Sequence, residues 1–294
     1  AGWSLVCDPT KDLEMLERQH GAQITDRVAV VVRGWRIAFN CKGIPLAEPA
    51  FASVVRGGDD DEVHGLAFRV PAGGAAGRLE ESLRSGSEYE SAAASFTTYD
   101  GRVLEGSLYT PRARAAIKET APSARHIREL VEVARRSGLS AGYIDRIAAT
   151  PAYKAAAATL RARDELPSPD SLPEITCDEL TAMAAEDDTC HVACLGYIVR
   201  VLKEKIYVGS HKGRDVTSRL LKQWRGLPLD SSEEAGGPPY PTEADMKPEE
   251  LEFISNWLDH YLWAGGGASS VVGFVSELRQ QRDLEALGVD LALL

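Results

Sequence analysis

The sequence has no apolar run approaching the ~20 residues that a membrane-spanning helix needs, so no transmembrane segment is expected. It has no excess of positive charge: 33 Lys and Arg stand against 44 Asp and Glu, a formal net charge of -11. Broad nucleic-acid binding needs clustered cations to displace counterions, and this balance excludes it. Cysteine is scarce and odd in number, at five in 294 residues. A disulfide framework is denser than this, so an intracellular, reducing compartment is expected. Cys190 and Cys194 are four apart, but Cys7, Cys41 and Cys177 are isolated. The four converging ligands of a structural zinc site are therefore not supplied, and no metal is expected. The cysteines read as buried thiols that behave as small hydrophobes. The opening AGWSLV has no charged n-region, so no secretory signal is expected there. It also has no initiator Met, which fits a processed or shortened chain, and the Ala-rich text fits import into a plastid or mitochondrion.

What is present is ordinary core material: 44% hydrophobic and 26% charged residues, enough for one large domain or two smaller ones. Residues 28–39, VAVVVRGWRIAF, read as a strand, a turn at Gly34 and a strand. Residues 62–70, EVHGLAFRV, alternate like a half-buried strand. Residues 95–109 read as a hairpin turning at Asp100-Gly101. In 123–138 the apolar residues 127, 130, 131 and 134 have helical spacing, and Gly138 suits a C-terminal cap. An Ala-rich helix from Ala152 then runs into Pro167, Pro169 and Pro173, which marks a domain seam. Beyond it, Thr176 and Glu179 have capping-box spacing, 191–201 read as two strands turning at Gly196, and 214–224 read as helical. A Gly/Pro-rich loop, 230–241, leads to a helix with Pro248 in its first turn. There is no internal repeat. The expected organisation is a domain over 1–150, a linker over 151–173, a domain over 174–279 and a tail over 280–294.

Four stretches of the first domain, RGWRIAFN, DEVHGLAFRV, YDGRVLEGSLYTP and PSARHIRELVEVARRSGLSAGYIDRI, together resemble the gamma-glutamylcyclotransferase-like family. The resemblance covers about residues 3–150 and implies an α+β fold, a mixed β-barrel with helices. It also implies two working parts. One is a Gly-containing loop near the N-terminus whose backbone N–H groups cradle the substrate α-carboxylate. The other is a Glu in a Leu-x-x-x-Glu-Gly context that moves protons while the α-amine attacks the γ-carbonyl, giving 5-oxoproline. The loop position falls on Cys7, Asp8, Pro9 and Thr10. It holds no glycine, Pro9 removes a donor, and Asp8 places negative charge where a carboxylate would dock. Asp8 also works against a lowered pKa at Cys7, so that thiol is expected to react slowly. Four residues after Leu79 stands Leu83 rather than Glu, and Glu81 and Glu88 are the nearest substitutes as the catalytic base.

Residues 174–275 resemble the cytochrome b5-like haem/steroid-binding fold, in its membrane-associated progesterone receptor branch. The likeness rests on EITCDELTAM, DDTCHVACLGYIVRV, GRDVTSRLL and DMKPEELEFISNWLDHYLW. It implies a second, small α+β domain. The His-Pro-Gly-Gly turn of haem-binding members is missing, and KIYVGSHKGRD offers Tyr207 and His211 as haem-ligand candidates. Two modules that each lack their signature residues point to a non-catalytic accessory subunit with protein partners and no cofactor. An active gamma-glutamylcyclotransferase and a haem or sterol-like ligand carrier stand as the alternatives.

Overall fold

The computed structural model describes residues 3–6, 17, 23–70, 89–113, 115–183, 189–202, 211–228, 241–242 and 245–286. The chain divides into two compact units, one of residues 1–44 and 48–153, the other of 45–47 and 154–294.

The first unit opens with β1 (Trp3–Val6), β2 (Asp26–Arg33), β3 (Trp35–Ile44), β4 (Glu48–Arg56) and β5 (Glu62–Arg69). β6 (Tyr89–Thr98) and β7 (Val103–Pro111) form the hairpin expected at Asp100-Gly101, with Gly101 at φ 87°. Five strands close into a barrel in the order β1-β5-β2-β6-β7. Closure is made by parallel pairing of β1 with β7, Trp3 opposite Gly106 and Ser4 opposite Ser107. Gly106 permits it: a Cβ there would stand 2.4 Å from the Trp3 carbonyl oxygen and 2.6 Å from the Phe96 ring.

β2 and β3 flank Gly34 as expected but do not pair with each other. β2 enters the barrel, and β3 pairs with β4 in a separate two-stranded sheet. Gly34, at φ 71°, redirects the chain, and its N–H donates to the Asp61 carbonyl rather than across a hairpin (2.8 Å). Two helices follow, α1 (Ala124–Arg136) and α2 (Ala141–Ala148). Ile127, Leu130, Val131 and Ala134 of α1 join Tyr143, Ile144 and Ile147 of α2 against Val30, Val32, Trp35, Val63, Phe96 and Leu108.

In the second unit, α3 spans only Ala157–Asp164. The expected helix starts late because Tyr153 donates its N–H to the Pro122 carbonyl (2.7 Å) and not to a helical ladder. β8 (Glu174–Ile175), α4 (Cys177–Met183), β9 (Thr189–Cys194), β10 (Tyr197–Leu202), α5 (Thr217–Arg225), α6 (Pro248–Gly265), β11 (Val271–Val275) and α7 (Ser276–Ala286) complete it. The sheet order is β8-β11-β10-β9, with β8 parallel to β11 and the other pairs antiparallel. Thr176 and Glu179 form the expected capping box: the Glu179 carboxylate accepts the Thr176 N–H (2.8 Å), and the Thr176 hydroxyl accepts the Glu179 N–H (3.2 Å). Leu180, Ala193, Ile198, Phe274, Val275 and Leu278 form a core. Among the described residues no helix is long and apolar enough to cross a membrane.

Candidate functional site

β1 runs parallel to β7, and β6 runs antiparallel to β7 with Tyr89 opposite Pro111. Val6, the last residue of β1, and Tyr89, the first of β6, therefore stand at one end of the barrel. The chain continues from Val6 into Cys7, Asp8, Pro9 and Thr10, and it enters Tyr89 from the segment that holds Glu81 and Glu88. Those six candidates, and Tyr207, lie outside the described residues.

The buried chemistry that is described in the first unit gathers where α1 begins. Among the described residues of this unit, Glu48 is the one buried carboxylate. Its Oε1 accepts from Arg125 Nε (2.8 Å) and the Ser123 hydroxyl (3.0 Å), and its Oε2 accepts from an Arg125 terminal nitrogen (3.0 Å). Arg125 also reaches Glu129, one helical turn on. Ser123 has a second role as the N-cap of α1, accepting the His126 N–H (3.1 Å). The fully buried His126 accepts the Ala52 N–H on Nε2 (2.9 Å), edge-on to Phe51. Burial, and secondarily the Arg125 charge, hold its pKa down at about 4, so the ring is neutral at pH 7. Sequence reading finds none of these partners, since Glu48 and Arg125 are 77 residues apart.

In the second unit His211 is paired through Nδ1 with the Tyr261 hydroxyl (2.7 Å) and lies edge-on to Trp257, 5.4 Å between centroids. Burial, then the nearby Arg219 charge, lower its pKa to about 4. The side of the ring toward α6 is filled by Trp257 and Tyr261, so a porphyrin does not enter between them without parting the contact. Cys190 and Cys194 are buried on β9, and the Cys194 thiol points to the Ile254 carbonyl (3.7 Å). Burial pushes that thiol well above its ordinary pKa. Among the described residues no three His, Cys, Asp or Glu side chains gather as a metal site. Asp215 is buried, which raises its pKa to about 6, and it accepts the Thr217 N–H at the start of α5 (2.8 Å).

An ion pair links α3 to α6. Arg163 Nε donates to both Asp259 oxygens (2.9 Å each), and a terminal nitrogen reaches Asn256 Oδ1 (2.8 Å). The Asp259 side chain is 2% exposed and that of Arg163 22%. Arg163→Ala strands a buried carboxylate and is expected to cost about 3 kcal/mol, the low end for a broken buried pair because Arg163 is partly wet. Urea unfolding of the second unit checks it, and Arg163→Ala/Asp259→Leu should recover most of the loss.

No protein-family model matches the chain, and no curated protein sequence matches it. Among solved structures, gamma-glutamyl cyclotransferase-like folds are similar to the N-terminal half. One, a gamma-glutamyl cyclotransferase, has 14% identity and a TM-score of 0.44 over 52% of this chain and 90% of its own. An uncharacterized human protein has 15% identity and a TM-score of 0.43 over 53% of this chain and 90% of its own. A yeast gamma-glutamyl cyclotransferase specific to glutathione has 11% identity and a TM-score of 0.34 over 50% of this chain and 93% of its own.

Proposed function

We propose that this chain is an accessory, protein-binding component whose gamma-glutamylcyclotransferase-like barrel does not carry out cyclotransfer. The observation that carries the proposal is Glu48. Among the described residues it is the buried carboxylate of the first unit, and an Arg125 fork and Ser123 occupy its oxygens. A carboxylate held this way positions a helix, and its hydrogen-bonding capacity is taken up by protein partners. The sequence supports the same conclusion, with Cys-Asp-Pro-Thr in place of an anion-binding loop and Leu83 in place of the base. At the β6–β7 tip Tyr99 is 47% and Val103 64% exposed, apolar surface available to a partner.

For the second unit we infer a cytochrome b5-like fold used without haem. The order capped helix, strand pair, helix, long helix and final strand supports it. Haem added to the purified protein is expected to give no Soret shift.

The test of lost cyclotransfer is 5-oxoproline release from γ-glutamyl-alanine and from glutathione. No release is expected even at micromolar protein. Release that disappears in Glu81→Gln or Glu88→Gln would overturn the proposal and identify the base.

A further inference from the structure

Ser140 is the N-cap of α2, yet its hydroxyl makes no capping hydrogen bond. It turns instead to His64 on β5, with Oγ 3.3 Å from Nδ1. The other ring nitrogen, Nε2, faces Glu62 Oε1 (3.2 Å), and Glu62 is itself held by Arg146 (2.9 Å). Tyr143 stacks on the imidazole, 4.3 Å between centroids and 7° between planes, which fixes the ring in its plane. Tyr99 OH lies 2.8 Å from the same Nδ1 and accepts the Ser140 N–H (2.9 Å).

The hydrogen-bond pattern selects one tautomer. Glu62 only accepts, so Nε2 carries the hydrogen and Nδ1 presents its lone pair to the Tyr99 and Ser140 hydroxyls. A hydroxyl on the basic nitrogen of an imidazole, with a carboxylate on the opposite N–H, is the arrangement that activates a serine nucleophile. Burial lowers the His64 pKa against the opposing pull of Glu62, so the ring is a neutral base at pH 7. Ser140 also begins a helix, and negative charge is favoured at a helix's first turn.

We propose that Ser140, His64 and Glu62 form an acyl-accepting site for short carboxylic esters, built from none of the residues to which cyclotransfer is assigned. In this site the Ser140 Oγ bonds to the acyl carbon while its proton passes to His64 Nδ1. The acyl C–O bond then breaks, and that proton leaves with the alcohol. Water, deprotonated by Nδ1, attacks the acyl-serine, releases the carboxylic acid and restores Ser140. His64 is the base and Glu62 a positioning residue. Tyr99 competes with Ser140 for the Nδ1 lone pair.

The experiment is labelling of the full chain with a fluorophosphonate probe at pH 7.5, the adduct located by peptide mass spectrometry, alongside p-nitrophenyl acetate hydrolysis. The expected result is one adduct on Ser140, absent in Ser140→Ala. His64→Gln should slow labelling about 100-fold or more, the ordinary worth of a general base. Glu62→Gln, at a more exposed position, should slow it at least about tenfold and keeps the test valid if the His64 variant does not fold. Tyr99→Phe removes the competitor and should speed it. No adduct on Ser140, an adduct on Tyr99, or labelling equally fast in Glu62→Gln would overturn the proposal. None of these results bears on 5-oxoproline release, so the two tests fail separately.

Discussion

Replacing Arg125 by alanine is expected to destabilise the first unit by about 3–5 kcal/mol, a large share of the stability of an ordinary domain. The loss comes from Glu48 rather than from the missing attraction. Glu48 has a side chain 3% exposed, and without the guanidinium it is a charge in an apolar setting whose remaining partner among the described residues is the Ser123 hydroxyl. Ser123 caps α1 as well, so the damage extends to the contact between α1 and the β3–β4 hairpin. The double variant Glu48→Met/Arg125→Met separates the two causes. It keeps the volume, removes both charges, and should lie within about 1–2 kcal/mol of the parent. Equilibrium denaturation of the three proteins measures this. A double variant as unstable as Arg125→Ala would mean that the pair itself, not the stranded charge, holds the helix.

Both units are expected to lose stability as pH falls from about 6.5 to 4. Burial lowers the pKa of His126 in the first unit and of His211 and His260 in the second to about 4, while buried Asp215 of the second unit, raised to about 6, takes up its proton first in the folded state and offsets part of that unit's loss. An unfolded-chain histidine binds its proton near 6.5. Between those values the unfolded state holds the proton and the folded state does not, so acid favours unfolding. The 2.5-unit gap corresponds to about 3 kcal/mol per histidine, lost progressively through the window and complete by about pH 4. At pH 7 there is no effect, because both states are neutral. Below about pH 4.5 a second loss begins at Glu250, whose pKa the Arg225 guanidinium holds at about 2. Thermal unfolding at pH 7.0, 5.5 and 4.5 checks the histidine window. His126→Gln, which can still accept the Ala52 N–H, should shrink it in the first unit only, leaving the part that belongs to His64. Melting temperatures that do not move between pH 6.5 and 4.5 would contradict the assignment.

The legible parts of the fold are those whose cause is local. The Asp100-Gly101 hairpin, the apolar spacing of α1, the Thr176–Glu179 box and the turn at Gly196 each depend on a few adjacent residues, and each appears as expected. The illegible parts depend on partners far along the chain. Nothing around Gly34 says that the strands on its two sides enter different sheets, because the partners that separate them, β5 and β6 for one and β4 for the other, come later in the chain. The β1–β7 closure rests on a four-residue strand meeting a glycine about a hundred residues later. The ring of His126 finds its backbone donor 74 residues away, and an apolar helix face gives no hint of it. The site proposed at Ser140 was hidden differently: its sequence signal, a serine before a helix, normally means a cap. Cys7–Thr10 stands out only through the resemblance to the gamma-glutamylcyclotransferase-like motif, since Cys-Asp-Pro-Thr has no signature of its own.

The central claim is that the molecule works through a partner and not through γ-glutamyl chemistry. Its most direct test is the native size of the endogenous protein in a gentle extract, with co-migrating chains identified by mass spectrometry. Migration in a particle well above monomer size, with a reproducible set of partners, is expected. Migration alone, at monomer size, would contradict it.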